Sequence, residues 1–393
     1  MRTGLFHLLF FVSTSALAVD ISGFVSSEFR YFTQNPLDLD QHEATLSISA
    51  ELELYHEWGD GDNSIALVPY FRLDQHDNQR THFDLRELTY VRSAEQWELR
   101  LGVRKVFWGV TEFQHLVDII NQTDLVENLD QEDKLGQPMV NLALIQDWGT
   151  VDFFLMPYFR ERTFPGVEGR VRSSPRVETG LSKFESTAKE KHLDFAIRYS
   201  HYIGDLDIGV AHFYGTSRDP RLLPARNQSG EPLLTPFYDI IHQTSVDLQN
   251  TKGNWLWKFE ALHRSGQSST YNALVAGFEY TFVGLFESAI DLGVLGEYHY
   301  DDRGDAASTI FEDDIAIGAR LAFNDAQSSD ALIGLVWDRD SGSKFFSAEA
   351  SRRIGNNWVI AFQARLLFEQ AANDPAFSIR KDDYIELSLS YNF

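Results

Sequence analysis

The 393-residue sequence has no cysteine at all. That excludes a disulfide-stapled scaffold, thiol catalysis and cysteine-ligated metal. It also lacks long apolar runs. Beyond the first twenty residues no stretch approaches the ~18–20 apolar residues that a membrane-spanning helix needs. Basic residues are scarce, with 34 Lys and Arg against 58 Asp and Glu and a net charge of −24. Such a balance speaks against nucleic acid as a partner, because phosphate recognition needs basic patches. Neither a Gly-x-Ser-x-Gly elbow nor a His-Glu-x-x-His metal motif occurs. The twelve histidines, His115, His201, His212, His242 and His299 among them, are scattered. The chain therefore reads as non-enzymatic and free of cofactors, with a lipid hydrolase of the outer-membrane type as the enzymatic alternative.

What is present begins with an export signal. Arg2 supplies positive charge, Leu5 to Val12 an apolar stretch, and Ala16-Leu17-Ala18 a small-x-small cleavage site. Residues 1–18 are expected to be removed, leaving 19–393 as one domain. A segment of strand character starts at once at Ile21, with no room before it for a plug domain.

One pattern fills the rest of the chain: stretches of roughly ten residues alternating apolar and polar, separated by turn residues. Leu46, Ile48, Ala50, Leu52 and Leu54 alternate with Ser47, Ser49, Glu51 and Glu53. Trp97, Leu99, Leu101 and Val103 alternate with Glu98, Arg100, Gly102 and Arg104. Period two with one apolar face suits a strand that meets lipid outside and water inside. The segments begin near residues 21, 42, 63, 82, 96, 139, 150, 189, 205, 237, 252, 270, 286, 309, 329, 343, 357 and 380. They predict an all-β fold, a single transmembrane antiparallel barrel of about 18 strands, with about 16 as the alternative.

Connection lengths support that count. Tight turns at 58–62, 93–95, Trp148-Gly149, Gly204, 250–253, Gly284 and 355–357 alternate with long connections such as 107–138, 161–188 and 217–236. Short turns on the periplasmic rim and long loops outside are the barrel rule. Trp58, Trp97, Trp148, Trp255 and Trp358 all fall at the predicted periplasmic rim, as an aromatic girdle would. The chain closes Leu387-Ser388-Leu389-Ser390-Tyr391-Asn392-Phe393, similar to the terminal signal of proteins inserted by the barrel-assembly machinery. Pro69 and Pro157 sit in matching phrases, Val-Pro-Tyr-Phe-Arg and Met-Pro-Tyr-Phe-Arg, and are read as bulges.

Charged residues fall on the inward face. The basic set is Arg30, Arg72, Arg100, Arg104, Arg160, Arg198, Lys258, Arg264, Arg320 and Arg365. The acidic set is Glu51, Glu53, Asp84, Glu98, Asp194, Glu260, Asp291, Glu297, Asp314 and Glu386. Facing lipid, each Lys or Arg would cost roughly 2–4 kcal/mol at the midplane. The connection 107–138 has apolar residues Val110, Phe113, Leu116, Val117 and Ile120 at helical spacing, predicting a helical turn or more. Asp118, Asp124, Glu127, Asp130, Glu132 and Asp133 lie around or after it, without the spacing of a calcium-binding loop.

Two stretches carry a resemblance. Arg104-Lys105-Val106-Phe107-Trp108-Gly109-Val110-Thr111-Glu112 with Asp118-Ile119-Ile120-Asn121-Gln122-Thr123-Asp124 is one; Pro157 to Gly166, with Gly169-Arg170, is the other. They resemble segments of uncharacterised porin-like outer-membrane proteins of proteobacteria. The resemblance implies a barrel in the bacterial outer membrane and passive passage of small polar or charged solutes. It further implies that 107–138 folds inward as a constriction. The expected constriction set is Arg72, Arg100, Arg104, Arg160, Arg198, Arg320 and Arg365 facing Asp118, Asp124 and Glu127. Arg160, Arg162 and Arg170 with Glu161 would form a charged mouth that attracts anions or lipopolysaccharide phosphates. Expected partners are therefore solutes, outer-membrane lipid and lipopolysaccharide, the assembly machinery and a second copy of the chain. An occluded structural or adhesive barrel is the remaining alternative.

Overall fold

The structure, a computed structural model, describes residues 19–393. The expected export signal at 1–18 lies outside the described residues. In chain order come β1 (Asp20–Phe32), β2 (Ala44–Trp58), β3 (Asn63–Asp74), β4 (His82–Ala94), β5 (Trp97–Arg104), β6 (Gln137–Gln146) and β7 (Gly149–Met156). Next are β8 (Lys183–Phe184), β9 (Asp194–Ile203), β10 (Leu206–Thr216), β11 (Arg221–Arg226), β12 (Pro232–Tyr238) and β13 (Ile240–Lys252). The last are β14 (Trp255–Ser265), β15 (Tyr271–Phe282), β16 (Asp291–Asp301), β17 (Asp313–Ala322), β18 (Asp330–Asp338), β19 (Lys344–Ile354), β20 (Trp358–Phe368) and β21 (Tyr384–Asn392).

Eighteen of these form one antiparallel sheet that closes on itself, each strand bonded to its neighbours in the chain and β21 returning to β1. The closing register runs from Phe24 opposite Asn392 to Phe32 opposite Tyr384. Every predicted barrel segment is present. The starts agree closely, the largest differences being Asp194 against 189 and Asp291 against 286.

Alternation sets the two faces. On β2, Leu46 and Ile48 are 48% and 50% exposed while Ser47 and Ser49 are buried. On β1, Val25 and Phe29 point out while Glu28 and Arg30 are buried inside. Apolar outside and polar inside inverts a soluble protein. No helix of the described residues is long and apolar enough to cross a membrane; the strands do the crossing.

The two rims differ as the connection lengths predict. On one, turns such as Gly204-Asp205 and Gly253-Asn254 join strands directly, with φ of +63° at Gly204 and +61° at Gly253. That left-handed conformation gives the twist a two-residue hairpin needs. Trp58, Trp97, Trp148, Trp255 and Trp358 ring this rim, all substantially exposed. The other rim holds the connections 33–43, 75–81, 105–136, 157–193 and 217–239. Two of these carry structure that the sequence pattern did not announce: β11 and β12 form a hairpin and β8 pairs parallel to β12, as a separate small sheet.

Of three further expectations, one holds and two are modified. Pro69 does mark a bulge, since the β3–β4 register shifts between Val68 and Pro69. Pro157 does not: β7 stops at Met156, and the chain leaves the sheet where proline removes the ladder donor. The predicted helical turn after Val110 is absent, for 105–136 contains no helix. Its apolar residues are spaced for different parts of the wall. Val117 and Ile120 join Trp108 and Ile119 against Met139, Phe154, Phe213 and Ile241, whereas Leu116 meets Leu262 and Tyr271, and Phe113 meets Phe311 and Val336.

The lipid assignment of the outer face predicts a specific cost. Ile317→Lys, on β17 with Ile317 55% exposed, should destabilise the folded barrel by about 2–4 kcal/mol. Urea unfolding from lipid vesicles measures it, and an unchanged midpoint would mean that this face does not meet lipid.

Candidate functional site

The connection 105–136 is bound to inward-facing side chains around much of the barrel. Glu260 of β14, fully buried, accepts the backbone N–H groups of Val110 (2.5 Å), Thr111 (2.9 Å) and Val117 (3.1 Å), together with the Thr111 hydroxyl (2.7 Å). Glu297 of β16 accepts from the backbone N–H of Glu112 (2.6 Å) and Phe113 (3.1 Å). These two wall carboxylates take up donors that a helix would have bonded internally. The segment can therefore stay irregular without orphaned buried amides.

Glu112 then turns its own carboxylate to Arg320 (2.5 Å) and Lys258 (3.4 Å). Further along, Glu127 meets Arg72 at 2.7 Å and accepts the Tyr70 hydroxyl at 2.8 Å. Arg72 also holds Glu28 of β1 at 2.9 Å, and Arg80 bridges Glu28 (2.7 Å) and Asp74 (3.0 Å). Arg86 lies 3.4 Å from Asp124 and stacks over the Tyr70 ring at 4.3 Å. Burial alone would raise the Glu127 pKa, but Arg72, Arg80 and Arg86 outweigh it and hold the carboxyl below its ordinary range. Burial pushes Asp124 upward, reinforced by the neighbouring Glu127. Asp130 reaches Arg365 of β20 at 3.2 Å, and Arg365 also pairs with Glu349.

The expected constriction residues thus separate into groups. Arg72, Asp124 and Glu127 share one buried network. Arg100 and Arg104 both donate to Asn141, and Arg100 also pairs with Glu98 and Asp152. Arg160, beyond the end of β7, pairs with Asp84 at 2.6 Å; Arg198 forms a two-pronged pair with Asp247. Asp118 faces no wall arginine. It pairs with Lys134 of the same connection at 3.0 Å. The residues of the expected mouth are engaged as well, Arg162 with Asp219 and Arg170 with Asp382 at 2.7 Å.

Several participants were not singled out in advance. Glu28 and Arg86 lie two positions from Arg30 and Asp84, so strand parity places them on the same face and could have found them. Arg80, Glu112 and Lys134 lie in connections, where period two gives no signal.

With that geometry in view, comparison with solved structures is informative at the level of fold. The BenF-like porin from Pseudomonas fluorescens Pf-5 covers 96% of this chain and 99% of its own, at a TM-score of 0.55 and 10% identity. A mutant of the Rh. blastica porin covers 96% of this chain and 100% of its own, at a TM-score of 0.46 and 8% identity. The chain has a porin-like fold. No family model matches the sequence, and no curated protein matches it.

If Glu260 holds the segment, Glu260→Ala strands buried amides, at about 1–3 kcal/mol for each donor left unpaired. Hydrogen exchange of residues 108–118 should accelerate by at least tenfold, roughly the equivalent of 1.4 kcal/mol, while the barrel strands keep their protection. Equal protection in both proteins would show that the carboxylate is not the anchor.

Proposed function

We propose that the protein is an outer-membrane channel for passive diffusion of small polar or charged solutes, with 107–138 as its constriction. The observation that carries this reading is a closed eighteen-strand wall, apolar outside and charged inside, whose connection 105–136 is bonded to inner-wall side chains of strands as far apart as β3 and β20. Charge at those inner positions is stable only where water or a counter-charge meets it.

Exposure distinguishes two roles within the expected set. Arg72, Arg365, Asp118, Asp124 and Glu127 are buried in ion pairs and hold the segment in place. Of the expected set, Arg320 keeps 41% of its side chain exposed and Arg100 25%; Glu349 and Asp130, outside that set, keep 41% and 25%. These, with Arg160, Arg104 and Arg198, are the charges that a hydrated solute would pass. Opposed signs across such a gap favour solutes that are polar and small.

Outer-membrane lipid and lipopolysaccharide would surround the barrel, the assembly machinery would insert it, and a second copy could share its apolar wall. A lipid-hydrolysing barrel and an occluded structural barrel are the competing readings. Purified protein in planar bilayers and in proteoliposomes bathed in sugars separates all three. A channel gives unitary conductance and swelling, an occluded barrel gives neither, and an enzyme releases fatty acid from phospholipid. Deleting residues 110–136 should raise unitary conductance; an unchanged value would refute the constriction.

Selectivity should also depend on pH. Burial, then Glu127 and Asp130, push the Asp133 carboxyl up to about 7. It is neutral below that value and charged above it, so the lumen gains negative charge as pH rises. The cation-to-anion permeability ratio from reversal potentials should increase between about pH 6 and pH 8. Asp133→Asn should flatten that rise, and a profile unaltered by the substitution would assign it elsewhere.

A further inference from the structure

Three outer connections, 33–43, 75–81 and 157–193, come together over one side of the barrel mouth. There the imidazoles of His42 and His76 lie face to face, ring centres 3.6 Å apart and planes at 17°. Glu168 reaches the same place, its Oε2 at 3.2 Å from His42 Nε2. One donor atom from each of the three side chains lies within 4.8 Å of the other two. We propose that His42, His76 and Glu168 form a binding site for a divalent transition-metal ion, with zinc as the reference case, that ties the three connections together.

The donor chemistry selects the ion class. Two imidazole nitrogens and one carboxylate oxygen suit zinc, copper or nickel, whereas calcium and magnesium require oxygen sets. Zinc sits about 2.0–2.2 Å from such donors, so the two imidazoles must turn out of their face-to-face stack to aim both in-plane lone pairs at one ion. Three protein ligands leave a position for water, and the site is open to it, with His42 and Glu168 side chains 42% and 53% exposed.

The backbone that carries each ligand is positioned by other contacts. Arg170, paired with Asp382, also donates to the His42 carbonyl at 3.3 Å. Asp74 Oδ1 accepts the backbone N–H of His76 at 3.0 Å. Around Glu168, the Gly166 N–H donates to Asp77 at 2.9 Å and Gln41 donates to the Gly169 carbonyl at 2.8 Å. The approach at Gly169 is so close that a Cβ there would stand 2.2 Å from Asp77 Oδ2. The ligands are thus brought together by a framework that does not depend on the ion. A second His-carboxylate group, His82 with Asp124 and Glu127, differs in kind, because Arg72 and Arg86 already occupy its carboxylates.

The test uses the full mature chain in detergent, freed of metal with a chelator and titrated with Zn2+ by calorimetry and with Co2+ by absorption spectroscopy. One saturable ion per chain is expected, with a dissociation constant on the order of 1 µM or tighter. His76→Ala and Glu168→Gln should each weaken binding by roughly tenfold or more, and the cobalt ligand-field bands should vanish in His76→Ala. His201→Ala, near the opposite rim, should leave both readouts unchanged. The His76 and Glu168 substitutions alter side chains of the outer connections and His201→Ala one near the end of β9; heat-dependent gel mobility verifies that each barrel is folded. Absence of saturable Zn2+ binding below about 1 mM, or full binding in the double variant His42→Ala/His76→Ala, would overturn the site. Neither readout requires an open pore, so this outcome is independent of the channel reading.

Discussion

Within hydrocarbon a backbone amide has no water to turn to, and each one left unpaired costs several kcal/mol. For a chain that crosses by strands, this leaves one solution: the sheet must have no edge. The pairing of β21 with β1, from Phe24 opposite Asn392 to Phe32 opposite Tyr384, is where the requirement is met. Ser26 and Ser390 add a side-chain bond across that seam at 2.8 Å. Once the ring is closed, period-two alternation follows through every strand, because a slip of one residue would exchange the lipid and lumen faces. Lumen charge, the aromatic rim and the outer connections all take their positions from that closure.

The same requirement reappears inside, in another form. A long irregular segment lying against the wall brings its own backbone donors, and no neighbouring strand is free to bond them. Here carboxylates projecting from the wall do so: Glu260 takes four donors and Glu297 takes two from the connection. A carboxylate accepting several N–H groups is a strong, charge-assisted arrangement. Glu260 is thereby buried against donors whose backbone dipoles spread its counter-charge, while Glu297 has His299 Nε2 at 3.5 Å in addition.

The fold was legible because its signal is redundant. Alternation, turn parity and the five rim tryptophans are separate readings of one geometry, and an error in strand count would have broken the parity. The inner site was legible only in part, and the boundary has a physical origin. Where a residue lies on a strand, parity gives its face, so Arg72, Arg320 and Arg365 could be placed. Where it lies in a connection, spacing misleads. The Val110 to Ile120 series imitates a helix because three separate apolar patches of the wall draw on it, and Asp118 turned to Lys134 rather than to the wall. Residues such as Arg80 and Glu112 act across long sequence separations, and a single chain carries no local trace of those pairings.

Ion pairing in the lumen also bears on what the net charge of −24 would mean for the proposed passage of solutes. An arginine and a glutamate locked together and stripped of water present little field to a solute, since the pair neutralises itself at short range. A charge still in contact with water acts over roughly a Debye length, about 8 Å at physiological ionic strength. In the proposed channel the buried Arg72–Glu127 pair would therefore set the shape of the passage, while the more exposed Arg320 and Glu349 would set its preference. Under that reading shape and preference would be only partly separable: the exposed Arg320 also holds Glu112 of the connection at 2.5 Å, and removing a buried partner leaves an uncompensated ion behind, which must move the segment before it changes selectivity.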